Sequence, residues 1–274
     1  MAHSTVENWR TRMLQLDIQP ALIDQVHDKL LSAIADGTLP AGRKLTQESV
    51  AVMLGVSRQP VSHALQVLRR RGLLVESGKR GLVVAPLDAK RLRDLYQVRG
   101  VLDGLAARLS AERARAGLLP LALREEAEQL VDKVAKLAAR AAIGDLIAAD
   151  VAFHSLIHRM SGNAAIVETV SEEWPHFMRS MGVALADADI RCRIWAEHAA
   201  IMSVIIAGRP KAAERAAQQH TMVAGEDTAR RLENLASVVR TQHHKGGNHE
   251  IDRPTARRFR RARLSVPARL LLRG

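Results

Sequence analysis

Between Ile18 and Asp36 the apolar positions Leu22, Ile23, Val26, Leu30, Leu31 and Ile34 recur at helical spacing. Pro20 suits the first turn of that helix, and Gly37 ends the run. The stretch "GTLPAGRKL" then reads as a turn rich in Gly and Pro. Thr46 is placed to cap a second helix carrying Val50, Ala51 and Leu54, which Gly55 breaks. Ser57 is placed to cap a third helix, and Pro60 is tolerated in its first turn, where amides lack partners inside the helix. That helix reaches about Arg71, with Val61, Ala64, Leu65 and Leu68 on one face. "GLLVESGKRGLVVAPL" reads as two short strands around a tip of Ser77, Gly78, Lys79, Arg80 and Gly81. Three helices followed by a hairpin predict a winged helix-turn-helix.

From Asp88 to about Gln242 the pattern is almost wholly helical. It predicts helices over 89–116, 121–142, 145–161, 163–185, 188–207 and 210–238, punctuated by Gly117, Gly144, Gly162 and Gly208. The fold class expected is mostly α: an N-terminal winged helix-turn-helix joined to an all-α antiparallel helical bundle. The domains read as an arm at 1–17, the winged module at 18–86, the bundle at 87–240 and a tail at 241–274.

Composition sharpens this. Hydrophobic residues make up 47% of the 274 and aromatics only 3%, the balance of packed aliphatic helices. The single cysteine, Cys192, rules out an internal disulfide framework and fits a reducing cytoplasm. The first residues have no apolar segment of a signal peptide, and no run approaches ~18 apolar residues, so no membrane span is expected. The net charge is +12, but residues 241–274 alone carry nine Lys/Arg against two Asp/Glu. That tail reads as basic and disordered. Overall charge is therefore poor evidence for DNA binding, and local pattern has to carry it.

In a winged helix the start of the third helix enters the major groove. Here it presents Ser57, Arg58, Gln59, Ser62 and His63, with Thr46 at the start of the helix before it. The fork of Arg58 matches the O6 and N7 acceptors of guanine. Ser57 and the first amides suit phosphate, and Lys79 and Arg80 at the wing tip suit phosphate or the minor groove. The segment "IADGTLPAGRKLTQESVAVMLGVSRQPVSHALQVLRRRGLL" resembles the DNA-binding domain of the GntR family of bacterial regulators, across roughly 18–85. The resemblance implies base and phosphate contacts at Ser57 and Arg58. Two departures stand out: Ser62 replaces the family's Arg, and the Glu early in the second helix is shifted, giving Gln47 and Glu48.

In the bundle, Asp150 and His154 share a helix face, with His198 and His220 on two later helices. Such a set suits a divalent metal, and its ligand types do not separate zinc, nickel and manganese. Spacing alone favours hydrogen-bonded core histidines over ligands, and His158 competes with His154. "DVAFHSLIHRMSGN" followed by "EHAAIMSVIIAGRPKAAERAAQQH" is similar to the FCD ligand-binding domain of one GntR subfamily, and the match spans about 89–235. That resemblance implies a six- or seven-helix bundle, metal ligands at Asp150, His154, His198 and His220, and a small organic acid as effector. It gives His158 no ligand place. In "DLYQVRGVLDGLAARLSA" it places Arg99 near the effector, as a bidentate carboxylate clamp, with Asp103 where Glu is usual. His176 and Arg179, near Trp174, are further candidates for the pocket, and Asn163 reads as a helix cap.

These readings converge on a non-enzymatic, cytoplasmic homodimer that binds double-stranded operator DNA and acts as a repressor released by a small carboxylate. A metal-dependent hydrolase is one alternative. Against it, no general base stands beside the ligands and there is no H-E-x-x-H motif. A nucleoid-type protein binding DNA through its basic tail, without sequence preference, is the other.

Overall fold

The structure, a computed structural model, describes residues 20–78, 81–137 and 141–245. They divide into two compact units, 20–31 with 44–84 and 32–43 with 85–245. The expected arm at 1–17, the wing-tip pair Lys79 and Arg80, and most of the expected tail lie outside the described residues.

Helix α1 (Pro20–Ala35) opens the chain's described part. The first unit continues with β1 (Lys44–Leu45), α2 (Gln47–Leu54), α3 (Arg58–Arg70), β2 (Leu74–Ser77) and β3 (Gly81–Val84). The strands form one antiparallel sheet in the order β1-β3-β2, with Leu45 opposite Leu82 and Leu74 opposite Val84. Strand alternation predicted the hairpin but not β1, which at two residues is too short to show a period. Val50, Val61, Leu65, Leu68, Leu74 and Val84 are buried in this unit, so the apolar face read along α3 is its core face.

Local chemistry sets the ends of α2 and α3. Thr46 Oγ1 accepts from the Ser49 amide at 3.1 Å, and Ser49 Oγ accepts from the Thr46 amide at 3.1 Å. This reciprocal cap contributes about 1 kcal/mol. Gly55 then stops α2 with φ 68°, a left-handed conformation without penalty for a residue lacking Cβ. Ser57 has the extended N-cap backbone of α3, but its hydroxyl makes no capping hydrogen bond, contrary to expectation. Pro60, the third residue of the helix, removes one of the two amides such a hydroxyl can reach and leaves only that of Gln59.

The second unit holds α4 (Ala89–Arg115), α5 (Leu121–Leu137), α6 (Ile143–Ser161), α7 (Ala164–Ala184), α8 (Ala188–Ile206) and α9 (Pro210–Lys245). Asp88, Asn163 and Asp187 cap α4, α7 and α8 by accepting first-turn amides. Small residues let α4 and α9 close on each other. A Cβ on Gly104 would lie 3.2 Å from both the Gln218 Cβ and the Glu214 carbonyl oxygen, and one on Gly100 would lie 3.0 Å from the Met222 side chain. That approach brings Asp103 of α4 to Thr221 of α9, whose hydroxyl donates to Oδ2 at 2.7 Å. Helix α9 runs to Lys245, past the end expected at 238 and into the segment read as tail, because "RTQHHK" contains no breaker before Gly246. No helix among the described residues is long and apolar enough to cross a membrane.

Candidate nucleic-acid interface and metal centre

The first turn of α3 is open to solvent. Ser57, Arg58, Gln59 and His63 are exposed, and Pro60 and Val61 turn inward. Arg58 Nη2 lies 3.2 Å from Glu48 Oε1, with side-chain exposures of 67% and 72%. Ser62 Oγ accepts from Gln47 Nε2 at 3.0 Å, so the two departures from the family pattern meet each other across α2 and α3. The Thr46 hydroxyl is engaged by Ser49. The surface offers one guanidinium, several short polar side chains and a helix start not capped by a side chain. Those are the groups that contact phosphate and base edges.

In the second unit the candidate residues are the reverse: Arg99, Asp103, Asp150, His154, His198 and His220 are buried together. Side-chain nitrogens of His154, His198 and His220 all lie within 4.8 Å of one another. His198 Nε2 and His220 Nε2 are 3.0 Å apart. Asp150 Oδ1 lies 3.6 Å from His198 Nε2, and Asp150 Oδ2 lies 3.9 Å from His154 Nε2. Three helices thus supply the set: α6 gives Asp150 and His154, α8 gives His198 and α9 gives His220.

These residues fit a divalent ion on their own chemistry. Two ligand bonds of ~2.1 Å meeting near a right angle put donor atoms ~3 Å apart, the spacing of the His198 and His220 nitrogens. The outer nitrogens of two rings face carboxylates: His154 Nδ1 lies 3.2 Å from Asp103 Oδ2, and His220 Nδ1 lies 2.6 Å from Glu197 Oε2. A proton held on Nδ1 leaves Nε2 as a lone-pair donor aimed inward. Burial, then the charge of Arg99, pushes the His154 imidazole down to about 4, against the pull of Asp103 and Asp150. Burial, then His220, His154 and Arg99, holds His198 well below its ordinary value. Both rings are therefore neutral near pH 7, the form that ligates metal.

Asp103 organises the side of the cluster formed by α4. Its Oδ1 accepts from His158 Nε2 at 2.6 Å, and its Oδ2 accepts from Thr221. Arg99 Nε lies 3.2 Å from Oδ2, and both side chains are 3% exposed. Burial alone would raise the Asp103 carboxyl; Arg99, then His154 and His158, outweigh it and hold it well below the usual range. His158, set aside above as a ligand, gives its Nε2 to Asp103. Asp103, expected near an effector, has both oxygens occupied by neighbouring side chains.

Arg99 is packed among rings, with its central carbon 4.6 Å from the Trp174 centroid and 4.8 Å from that of Phe177. Its Nε, close to Asp103 but misaligned, and its Nη2 make no hydrogen bond among the described residues. Arg99, Asp150, His154 and His220 line a cavity of about 20 Å³ that is otherwise walled largely by apolar side chains such as Met181, Leu185 and Ile194. The other two pocket candidates are not brought there. The Arg179 guanidinium donates to the Ala85 carbonyl, and buried His176 lies with Nε2 4.0 Å from Glu173. Sequence reasoning missed Glu197. It precedes His198 directly, and adjacent helix positions point about 100° apart, so no shared-face argument could find it.

Two stretches match known families: residues 22–84 match the bacterial regulatory proteins of the gntR family, and residues 94–222 match the FCD domain. A probable D-xylose utilization operon transcriptional repressor from Paenarthrobacter nicotinovorans is 30% identical over 200 residues, covering 72% of this chain and 84% of the relative. The chain belongs to the GntR family. This GntR regulator is also similar to the Glc operon transcriptional activator of Escherichia coli K12, 26% identical over 228 residues that cover 74% of the chain and 87% of the relative. In fold it resembles the crystal structure of a putative GntR transcriptional regulator from Rhodococcus sp. RHA1, with TM-score 0.60 and 23% identity, over 77% of this chain and 97% of the other. The GntR regulator is thus a DNA-binding transcription factor with a helical FCD sensor domain, as the two resemblances implied.

Proposed function

We propose that this GntR regulator is a homodimeric repressor that reads double-stranded operator DNA with the first turn of α3 and releases it when a small carboxylate binds beside a divalent metal. The observation that carries the sensor half is the buried meeting of three imidazoles and one carboxylate next to Arg99, whose Nε and Nη2 make no hydrogen bond among the described residues. Asp150, His154, His198 and His220 would hold the ion, and zinc, nickel and manganese all suit this donor set. When bound, the ion supplies a Lewis-acid anchor for one oxygen of an acid, and Arg99 supplies the second, charge-assisted contact. Asp103 positions His154 and Arg99 and leaves the acid to them. The winged module at 18–86 and the bundle at 87–240 are the corresponding domains.

On the DNA side, Arg58 reads a guanine, and Ser57, Gln59, Ser62 and His63 contact neighbouring base edges or phosphate. The local cap at Thr46 holds the start of α2 beside them. Two such turns in a dimer fit half-sites about 34–36 Å apart. Repression is favoured by the description of the 30% identical relative as a repressor. The cavity of about 20 Å³ has room for about one water. An acid with a carbon body therefore opens it, and the helices that move in doing so link occupancy to shape. A hundredfold preference for the opened arrangement corresponds to ~2.7 kcal/mol.

The test uses His198→Ala combined with His220→Ala. The double variant should lose bound metal and its response to carboxylates while still protecting the operator in a footprinting assay. Metal content equal to that of the unsubstituted protein would remove the ligand assignment.

A further inference from the structure

The three imidazoles of the cluster differ at their outer nitrogens. His198 Nδ1 is buried and makes no hydrogen bond among the described residues. His154 turns Nδ1 to Asp103 at 3.2 Å. His220 donates Nδ1–H to Glu197 Oε2 at 2.6 Å, the shorter of the two carboxylate contacts. Glu197 is on α8 and His220 on α9, so helix spacing does not impose the contact.

A ring whose Nδ1 proton is given to a carboxylate is fixed in one tautomer, with the lone pair on Nε2. For His220 that lone pair faces the cluster, 3.0 Å from His198 Nε2. Glu197 is itself steadied from outside: Oε1 lies 3.6 Å from Arg193 Nε, and Arg193 pairs with Asp227 of α9. At 35% side-chain exposure Glu197 keeps water on one flank, so holding a carboxylate there costs far less than burying it.

We infer that Glu197 is a positioning residue for the metal centre: it orients His220 and holds that ring in the tautomer able to ligate, without touching the ion. The inference rests on the metal reading above. The competing role is a plain tie between α8 and α9, whose loss would lower stability and leave metal affinity alone. Outer carboxylate partners of ligating histidines are worth about 10–100-fold in metal affinity, which separates the two.

The experiment strips the full-length protein of metal and titrates it with zinc against a chromogenic chelator. E197A should bind zinc about 10–100-fold more weakly. E197Q keeps a carbonyl oxygen for the Nδ1–H and should recover most of the loss. Imidazole nitrogen NMR of the metal-free protein reads the tautomer directly: His220 should be a pure Nδ1–H tautomer in the unsubstituted protein and in E197Q, and a mixture in E197A, and a mixture already in the unsubstituted protein overturns the inference. Zinc affinity of E197A within about twofold of the unsubstituted protein overturns the inference, as does an E197Q no better than E197A. If the unsubstituted protein takes up none of zinc, nickel and manganese, the metal reading fails and this role falls with it. If zinc binding is lost on replacing His198 and His220 but kept in E197A, the metal reading stands and only the role of Glu197 fails.

Discussion

Arg58 and Glu48 meet at 3.2 Å with side chains 67% and 72% exposed. Arg99 and Asp103 meet at the same 3.2 Å, each 3% exposed. A guanidinium and a carboxylate at the same separation, hydrogen-bonded in the first pair and misaligned in the second, have opposite consequences in the two places. The exposed pair gains little over hydration, about 0–1 kcal/mol, so a base edge or phosphate can take Arg58 from Glu48 at small cost. The buried pair has no water to fall back on, and removing one partner strands the other. The proposed reading turn is therefore free to exchange partners, and the proposed metal centre is held in place. Function can be lost at the first without unfolding. At the second, function and stability are tied.

The largest effect tests the buried side. Asp103→Ala leaves the His158 Nε2 and the Thr221 hydroxyl without their acceptor and the Arg99 guanidinium without its ion-pair partner. It should destabilise the metal-free protein by about 3–5 kcal/mol in denaturant unfolding. A loss under about 1 kcal/mol would mean that the network relaxes to water, and the contrast between the two pairs would collapse. Next comes Arg58→Ala. It should cost about 1–3 kcal/mol of discrimination at one base pair per half-site, read by binding to operators varied at each position. Unfolding should stay within about 0.5 kcal/mol of the parent. Sequence preference that survives this change would displace α3 as the reading helix. Smaller again is Thr46→Ala, which removes the cap of α2 and should cost about 1 kcal/mol, with Thr46→Ser restoring it. DNA affinity that fell further than stability does would give the Thr46 hydroxyl a direct contact beyond its local bond to Ser49.

What the sequence disclosed follows the same division. Helices bounded by Gly and by capping Asp or Asn were legible, as at Gly55, Asn163 and Gly208, because turn chemistry is local. The proposed ligand set could be named only through resemblance, since eleven histidines make helical pairs common by chance. Three features were not legible. Strand β1 is too short for a period. Arg179 bonds the backbone carbonyl of Ala85, and a backbone acceptor has no residue signature. Asp103 and Glu197 act through contacts between helices, with His158 and His220, which spacing along one helix does not encode. The exposed turn needed only its own sequence to be read, whereas the buried centre needed the packing of four helices.

The finest test of the comparison is Glu48→Gln. The exposed pair contributes too little for its loss to register in unfolding, so stability should not move by more than about 1 kcal/mol. Binding should respond instead. Removing a negative charge beside the turn proposed to approach phosphate lessens repulsion and releases Arg58 from a competing acceptor. Operator affinity should rise modestly at low salt, and the gain should shrink as salt screens the charge. Preference among base pairs should stay as it was, because Arg58 keeps its fork. A loss of affinity at every salt concentration would show that Glu48 aims Arg58 and does not merely compete for it, and the exposed pair would then belong with the buried one as a fixed element of its site.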